Sequence, residues 1–121
     1  MTDNIFKVWG QRYRILLNDL VEIDHLIITK DTACSIHKHN HKSNKFYVIS
    51  GLLKIQTELG STILGPNMHF TVDAPIEHQF ITLEDSVVIE CAYVKIDPSD
   101  IQRRCQGGQI INDKFISLDE K

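Results

Sequence analysis

Short stretches in which apolar and polar residues alternate follow one another along most of the chain. Such alternation places every second side chain on the same face, and it predicts β-strands when β-branched and aromatic residues are common. Turn-forming residues separate the stretches, most clearly at Gly65-Pro66-Asn67, and a hairpin is predicted at Gly51. The predicted strands cover residues 13–17, 21–28, 33–39, 46–50, 52–59, 61–64, 68–72, 78–83 and 86–94.

Helical character is confined to a segment near the C-terminus. Asp97 or Ser99 is suited to cap a short helix that continues through Arg104, and Gly107 with Gly108 is suited to end it. The many short strands and the near absence of helix indicate an antiparallel sandwich or a small barrel. We therefore predict an all-β fold, an antiparallel β-barrel or jelly roll with a short C-terminal helix.

The length and composition fit one domain. The chain has 121 residues, of which 42% are hydrophobic and 24% are charged. This is enough for one sizeable core and leaves little room for a second. We predict a single domain over residues 1–121, with a core from about 5 to 108 and a tail or edge strand at 109–121.

The charge balance and the N-terminal residues narrow the range of partners. Lys plus Arg number 13 and Asp plus Glu number 16, which gives a formal net charge of −3. The basic surface expected of a nucleic-acid-binding protein is therefore missing. No apolar run approaches the roughly 20 residues of a membrane span, and the first residues lack the features of a secretory signal. The sequence predicts a cytoplasmic protein with neither a nucleic-acid nor a membrane partner.

Histidine carries the candidate chemistry. Three of the six histidines, His37, His39 and His41, fall within five residues. Residues two apart in a strand share a face, so His37 and His39 point the same way. Two adjacent imidazoles can bind one metal ion if another strand supplies a third ligand, and His78 is the best candidate. The three cysteines form no CxxC pair, which argues against a thiolate zinc site.

The order of these residues resembles a known family. The pattern His37-x-His39-x4-Asn44-x6-Gly51 is similar to the first motif of the cupin superfamily, which has Glu where this chain has Asn44. The stretch that ends at His78 resembles the second motif, with only its histidine retained. The resemblance is strongest to the small phosphomannose-isomerase-like domains at the C-terminus of type II mannose-6-phosphate isomerases.

Further matches extend this resemblance over roughly residues 5 to 108. Trp9-Gly10 resembles the Pro-Trp-Gly at the entry of those domains, and Ile89-Glu90 and Asp100-Ile101 resemble their closing motifs. The resemblance implies an antiparallel barrel with a divalent metal ion inside. Zinc, manganese, iron and nickel all remain open as its identity.

The resemblance implies metal ligands at His37, His39, Asn44 and His78. His37 replaces a glutamine of the isomerase-like relatives, and Asn44 replaces their glutamate, which removes a negative charge. Three neutral imidazoles around a divalent ion leave open positions for water or substrate. His41 is expected either as an auxiliary ligand or at the rim of the site.

Isomerisation of a sugar also needs a base, and no motif residue clearly supplies one. Glu90 and His41 are the candidates.

Counting in twos from Asn44 and from His78 predicts four residues that line the pocket beside the ligands. They are Phe46, Val48, Phe80 and Thr82. The Arg103-Arg104 pair is suited either to bind a substrate phosphate or to stabilise the end of the predicted helix.

Three functions are compatible with these residues. The first is a small metal-binding cupin that binds or isomerises a sugar or sugar phosphate. The second uses the same ligands to hold ferrous iron, as in the three-His thiol dioxygenases. The third is a binding module that senses a small ligand and catalyses nothing. Exposed edge strands in small barrels also favour a homodimer, in which exchanged N-terminal strands cover the edges. Trp9 is expected to anchor the N-terminal segment either over the barrel or across the dimer interface.

Overall fold

The computed structural model describes residues 4–94 and 99–118, and nearly all of its regular structure is β-strand. The strands are β1 (Asn4–Lys7), β2 (Gly10–Leu17), β3 (Val21–Ile28), β4 (Ser43–Thr57), β5 (Gly60–Leu64), β6 (His69–Val72), β7 (His78–Tyr93), β8 (Gly108–Ile111) and β9 (Lys114–Ser117). Every ladder between them is antiparallel. The all-β prediction is confirmed.

The long strands β4 and β7 each bend and take part in two layers. In one layer, residues 44–48 of β4 pair with residues 88–92 of β7. β6 flanks this pair on one side, and β3, β2 and β1 follow on the other. In the second layer, residues 52–57 of β4 pair with residues 78–84 of β7, and β5 lies beside them. The layers close over a shared core, as in a jelly roll.

The hairpin predicted at Gly51 is wrong, because β4 continues through that position. Register shifts near Val48, Ser50 and Leu52 interrupt the β4–β7 ladder and bend β4 from one layer into the other. Gly51 has a φ of +96°, and a Cβ at this position would clash with the hydroxyl of Ser86. Glycine satisfies both constraints, so Gly51 forms a corner of the barrel and not a turn.

The strand predicted over residues 33–39 is reduced to two isolated bridges. Ala33 pairs with Ile81, and His37 pairs with His78. The segment therefore lies along the first part of β7 without a continuous ladder. One cause is local, since Nδ1 of His37 bonds the carbonyl of Ser35 at 2.9 Å. Side-chain bonds to a neighbouring backbone group compete with regular strand pairing.

The predicted short C-terminal helix is wrong for the residues that the structure describes. Residues 99–107 are irregular and exposed, and Asp97 lies outside the described residues. A helix this short is stable only when it packs an apolar face on the core, and residues 99–107 bury none. Within 4–94 and 99–118 there is no α-helix, and accordingly none that is long and apolar enough to cross a membrane.

The C-terminal residues form a separate two-stranded sheet. β8 and β9 pair with each other from Gly108 opposite Ser117 to Ile111 opposite Lys114. The turn between them has positive φ angles at Asn112 and Asp113, of 52° and 64°. Such angles are typical of the tight turns that match the twist of a hairpin.

The space between the two layers contains an apolar core that ends at a polar rim. Trp9 and Phe80 meet edge to face, with ring centroids 5.3 Å apart. The other fully apolar members are Leu26, Ile28, Phe46, Val48, Leu53, Ile55, Leu64, Val72 and Val88. Buried polar residues lie on the same strands, namely Asp24, Asn44, His78 and Thr82. The rim is where the candidate chemistry is found.

Candidate metal centre

Three histidines from two segments converge at the rim of the barrel. His37 and His78 exchange a pair of backbone hydrogen bonds, of 3.0 and 2.8 Å, which fix the two residues side by side. The ring centroids lie 4.6 Å apart for His37 and His78, 5.0 Å for His37 and His39, and 5.7 Å for His39 and His78. One nitrogen of each ring falls within 4.8 Å of the others. This spacing suits one ion at bonds of about 2 Å.

Backbone carbonyls set the tautomer of two of these rings. Nδ1 of His37 lies 2.9 Å from the carbonyl oxygen of Ser35, and Nδ1 of His78 lies 3.0 Å from that of Ile76. A carbonyl only accepts, so Nδ1 carries the proton in both rings and Nε2 keeps its lone pair. Nε2 of His78 is buried and has no hydrogen-bond partner among the described residues. A buried acceptor without a donor fits a metal ligand.

The surroundings favour the neutral form of two of these imidazoles, those of His39 and His78. Burial lowers the pKa of His78, and the charge of His37 lowers it further, although the bond to Ile76 opposes this. Burial also lowers the pKa of His39, with added repulsion from Lys42 and from the other two histidines. Because only the neutral ring offers a lone pair, a lowered pKa keeps both residues able to bind a metal near pH 7. The group therefore suits a divalent ion.

Asn44 lies on β4 at the same end of the barrel. Its Nδ2 donates a 2.8 Å hydrogen bond to a carboxylate oxygen of Glu90. Its Oδ1 is buried without a hydrogen-bond partner in the described part of the chain. The bond to Glu90 thus fixes the amide so that its oxygen, a neutral and weak metal ligand, stays available.

Glu90 is set up to gain or lose a proton near neutral pH. Burial raises the pKa of its carboxyl to about 7, and the negative charges of Asp24 and Glu22 add to the shift. The hydrogen bond from Asn44 and the charge of Lys42 oppose it. A carboxyl with a pKa near the working pH is suited to general acid–base chemistry.

A network of ion pairs lines the wall next to Glu90. Arg14 on β2 bonds Asp24 at 2.6 Å and Glu22 at 3.0 Å, both on β3. Lys42 bonds the second oxygen of Glu22 at 3.1 Å. Burial raises the pKa of Asp24 despite the bond from Arg14. The network holds two carboxylates in place at one side of the histidines.

These groups surround an open cavity of about 500 Å³, which is the size of a small-ligand site. Its polar lining includes His37, His39 and Asn44, together with Glu22, Asp24 and Lys42 of the ion-pair network. The remaining lining residues are Lys7, Val8, Trp9, Arg12, Leu26, Cys34, Ser35, Phe46, Phe80 and Glu90. Burial raises the pKa of Cys34 to about 11, so its thiol stays protonated and is a poor metal ligand.

Two of the four predicted lining residues reach the cavity. Phe46 and Phe80 line it, whereas Val48 and Thr82 are fully buried and do not. Counting in twos gave the right face of each strand, but Val48 and Thr82 lie one step deeper in the core. His41 is exposed and lies outside the three-histidine group. Two positions were predicted for His41, an auxiliary ligand or the rim of the site, and its exposure corresponds to the rim.

The charged wall, formed by Arg12, Arg14, Glu22, Asp24 and Lys42, was not predicted from the sequence. Arg12 and Arg14 on β2, and Glu22 and Asp24 on β3, each occupy positions two apart. Residues two apart share a face, so the pattern places two like charges together on one side of each strand. The other inward positions of these strands are apolar. Two like charges on the same face were therefore the sequence pattern that could have predicted a polar cavity.

Comparison with known proteins gives a fold and no closer relationship. No family model and no curated protein matches the sequence. Solved structures do match. KdgF from Halomonas sp. is 22% identical, with a TM-score of 0.65 over 72% of this chain and 80% of that one. Ectoine synthase from P. lautus is 16% identical, with a TM-score of 0.67 over 78% and 70% of the two chains.

A third solved structure that matches is a cupin by name. An RmlC-like cupin from Shewanella frigidimarina NCIMB 400 is 17% identical, with a TM-score of 0.68 over 80% of this chain and 87% of that one. At these identities the likeness concerns the arrangement of strands. The chain has the cupin fold, and its three-histidine group lies at the open end of the barrel.

Proposed function

We propose that this chain is a metal-binding cupin that binds a small sugar or sugar phosphate, and isomerises it. His37, His39 and His78 hold a divalent ion, and Asn44 Oδ1 or water completes the coordination. The observation that carries the proposal is the convergence of three imidazoles, one of which has a buried Nε2 without a partner. The resemblance of the sequence motifs to phosphomannose-isomerase-like domains supplies the substrate class.

The side chains of the cavity divide the work of such a reaction. A divalent ion held by the histidines would polarise the carbonyl oxygen of the sugar. Glu90, with a pKa of about 7, takes the proton from C2 as a carboxylate and returns it to C1 as the acid. The sugar keeps all its atoms, so no oxidant or reductant is required. Trp9, Phe46 and Phe80 exclude water from the apolar side of the cavity.

Elemental analysis tests the metal site. The full chain, purified without chelator and incubated with zinc, manganese, ferrous iron or nickel, is expected to retain about one ion per chain. His37→Ala and His78→Ala should each lose it, while the exposed His69→Ala should behave as the parent chain. Metal that survives in both ligand variants, or its absence from the parent chain with all four ions, contradicts the proposal.

Turnover tests the reaction. The metal-loaded protein is expected to interconvert mannose 6-phosphate and fructose 6-phosphate, and Glu90→Gln should reduce the rate at least a hundredfold with metal content unchanged. Saturable binding of the sugar phosphate without turnover would identify a binding module and would refute the isomerase part of the proposal alone.

One observation favours a second function. The three-histidine group contains no carboxylate, and three neutral ligands suit ferrous iron with open positions for oxygen. Oxygen consumption by the iron-loaded chain in the presence of a small thiol, lost in His78→Ala, would support the dioxygenase. Activity that is equal with zinc and with iron would refute it.

We also propose that two copies of the chain associate through their N-terminal strands. Among the described residues β1 pairs only with β2, and Ile5, Phe6 and Val8 beside this edge are exposed by 40, 73 and 89%. An exposed apolar edge strand is suited to pair with a second copy. Light scattering is expected to give twice the chain mass, and Phe6→Lys should give a monomer, while the equally charged Leu59→Lys, far from this edge in sequence, should not.

A further inference from the structure

We propose that the ligand of this cavity carries an anionic group, a carboxylate or a phosphate, and that Arg12 binds that group. The inference deepens the proposed function, because it concerns the same cavity and names the charge of the ligand. It uses residues on β2 that are separate from the metal ligands, so the two can fail independently.

Arg12 is a half-buried cation with no partner among the residues that the structure describes. It lies on β2 opposite Leu26 of β3 and lines the cavity. Its Nε is buried and makes no hydrogen bond to any of the described residues, and no ion pair to Arg12 is found among them. A guanidinium stays charged at every physiological pH. Leaving a buried charged donor unsatisfied costs free energy, so this arrangement indicates a missing acceptor.

The neighbouring carboxylates are already engaged by other cations. Arg14 is two residues further along the same strand, and it binds both Asp24 and Glu22. Lys42 binds Glu22 as well. Asp24 and Arg12 attract each other only weakly, because the charge of Arg12 lowers the pKa of Asp24 less than the other neighbouring groups change it. Two arginines that share a face therefore have different states: Arg14 is locked in ion pairs, whereas Arg12 lines the cavity with its Nε unpaired among the described residues.

The charge of the cavity favours an anion. Among the described residues, Lys7, Arg12 and Lys42 line it together with Glu22, Asp24 and Glu90. The lining itself holds three cations and three carboxylates, and Arg14, which binds two of these carboxylates without lining the cavity, brings the cations to four. The histidines add no negative charge, and a divalent ion would add two positive charges. An anionic ligand is the counter-charge that this wall lacks.

The geometry of the guanidinium and the lining define the ligand further. A guanidinium donates through a planar fork that matches carboxylate and phosphate oxygens. The volume of about 500 Å³ suits a small molecule, and Trp9, Phe46 and Phe80 offer an apolar surface to its carbon skeleton. The class is a small organic anion with oxygen atoms at its other end for the metal, such as a sugar phosphate or a sugar acid.

NMR of the arginine side chains tests the inference without a known ligand. The chain contains only four arginines, Arg12, Arg14, Arg103 and Arg104, so single Arg→Lys variants assign each Nε–H signal. The metal-free full chain is titrated with inorganic phosphate and, separately, with acetate. The Arg12 signal is expected to shift saturably, with half-saturation at a concentration at least tenfold lower than for Arg103 or Arg104, which are exposed.

An Arg12 signal that shifts no more than that of Arg104 with both anions overturns the inference. A second measurement does not depend on the quality of the NMR signals. Addition of 20 mM phosphate should raise the Tm of the parent chain and of the control Arg104→Gln by the same amount. In Arg12→Gln the rise in Tm should be at most half as large. Equal rises in all three also overturn it. Because these titrations use metal-free protein, an intact phosphate response with no metal binding would refute the proposed function and leave the anion site standing.

Discussion

The two ends of the barrel interior are built from the same strands and differ in what their side chains leave unsatisfied. At the closed end, Val48, Leu53 and Val88 have no solvent exposure and belong to the apolar core. At the open end, the same strands carry Asn44 and Glu90, and polar atoms remain without partners. The closed end supplies stability, and the open end keeps binding capacity at a cost in stability. Four measurements test this division of roles between the two ends.

The largest effect is expected from the closed end. Leu53→Ala removes a fully buried side chain and leaves a cavity in a packed core, so it should lower the free energy of unfolding by about 3 kcal/mol. Urea denaturation followed by circular dichroism measures this. The exposed Leu59→Ala serves as the control and should change little. A loss below about 1 kcal/mol would mean that the closed end is not the stabilising half.

Metal should stabilise the open end by a nearly comparable amount. At a hundred times its dissociation constant, zinc should raise the free energy of unfolding by about 2.7 kcal/mol, because it binds the folded chain and not the unfolded one. His78→Ala should lose this gain, and His69→Ala should keep it. The gain is measured from the denaturant concentrations at the unfolding midpoint with and without zinc. Equal gains in both variants would place the ion elsewhere.

Glu90 should make stability fall as the pH rises. Its folded pKa of about 7 lies above the ordinary value of 4.5 for a glutamate, so the folded chain holds this proton more tightly than the unfolded one. The contribution is complete below about pH 4.5 and is lost as pH rises through 7. In metal-free protein, the parent chain should lose up to about 3 kcal/mol relative to Glu90→Gln across this interval. A difference that does not vary with pH would show that Glu90 titrates normally.

The smallest effect is expected at the outer edge of the charged wall. The Lys42–Glu22 pair is partly solvated, with side-chain exposures of 36 and 23%. Lys42→Met should therefore cost only about 0.5 kcal/mol, and less at high salt. Arg14→Met, which leaves the buried Asp24 without its 2.6 Å partner, should cost several times more. Thermal melts at low and high salt compare the two, and equal costs would show that burial does not separate them.

The convergence of His37, His39 and His78 was predictable from a spacing typical of a strand, although residues 33–39 form only two isolated bridges. His37 and His39 are two apart, and His78 opens a strand that pairs beside them. The fold class followed from the same alternation. The residue at the corner of the barrel was misread, since Gly51 has the composition of a turn and its role depends on the close approach of Ser86. That approach is a tertiary fact.

The charged wall and the C-terminal segment were harder for related reasons. Whether Arg12 and Asp24 face the cavity or the solvent depends on which face of β2 and β3 the barrel encloses, and alternation alone leaves this open. The predicted helix had acceptable caps at Ser99 and Gly107, but caps stabilise a helix only when its length or its packing also favours it. Local signals were right where tertiary contacts agreed with them.

The bending of β4 and β7 through both layers has a consequence for how the cavity can arise. Its groups come from Arg12 near one end of the chain, His37 and Asn44 in the middle, and His78 and Glu90 beyond. His37 precedes β4 and His78 opens β7, so a piece of the sequence that lacks either segment lacks the complete three-histidine group. Cleavage in the turn before Gly60 would separate His37 from His78, and recovery of zinc binding on mixing the two pieces would then report the reassembly of the entire barrel.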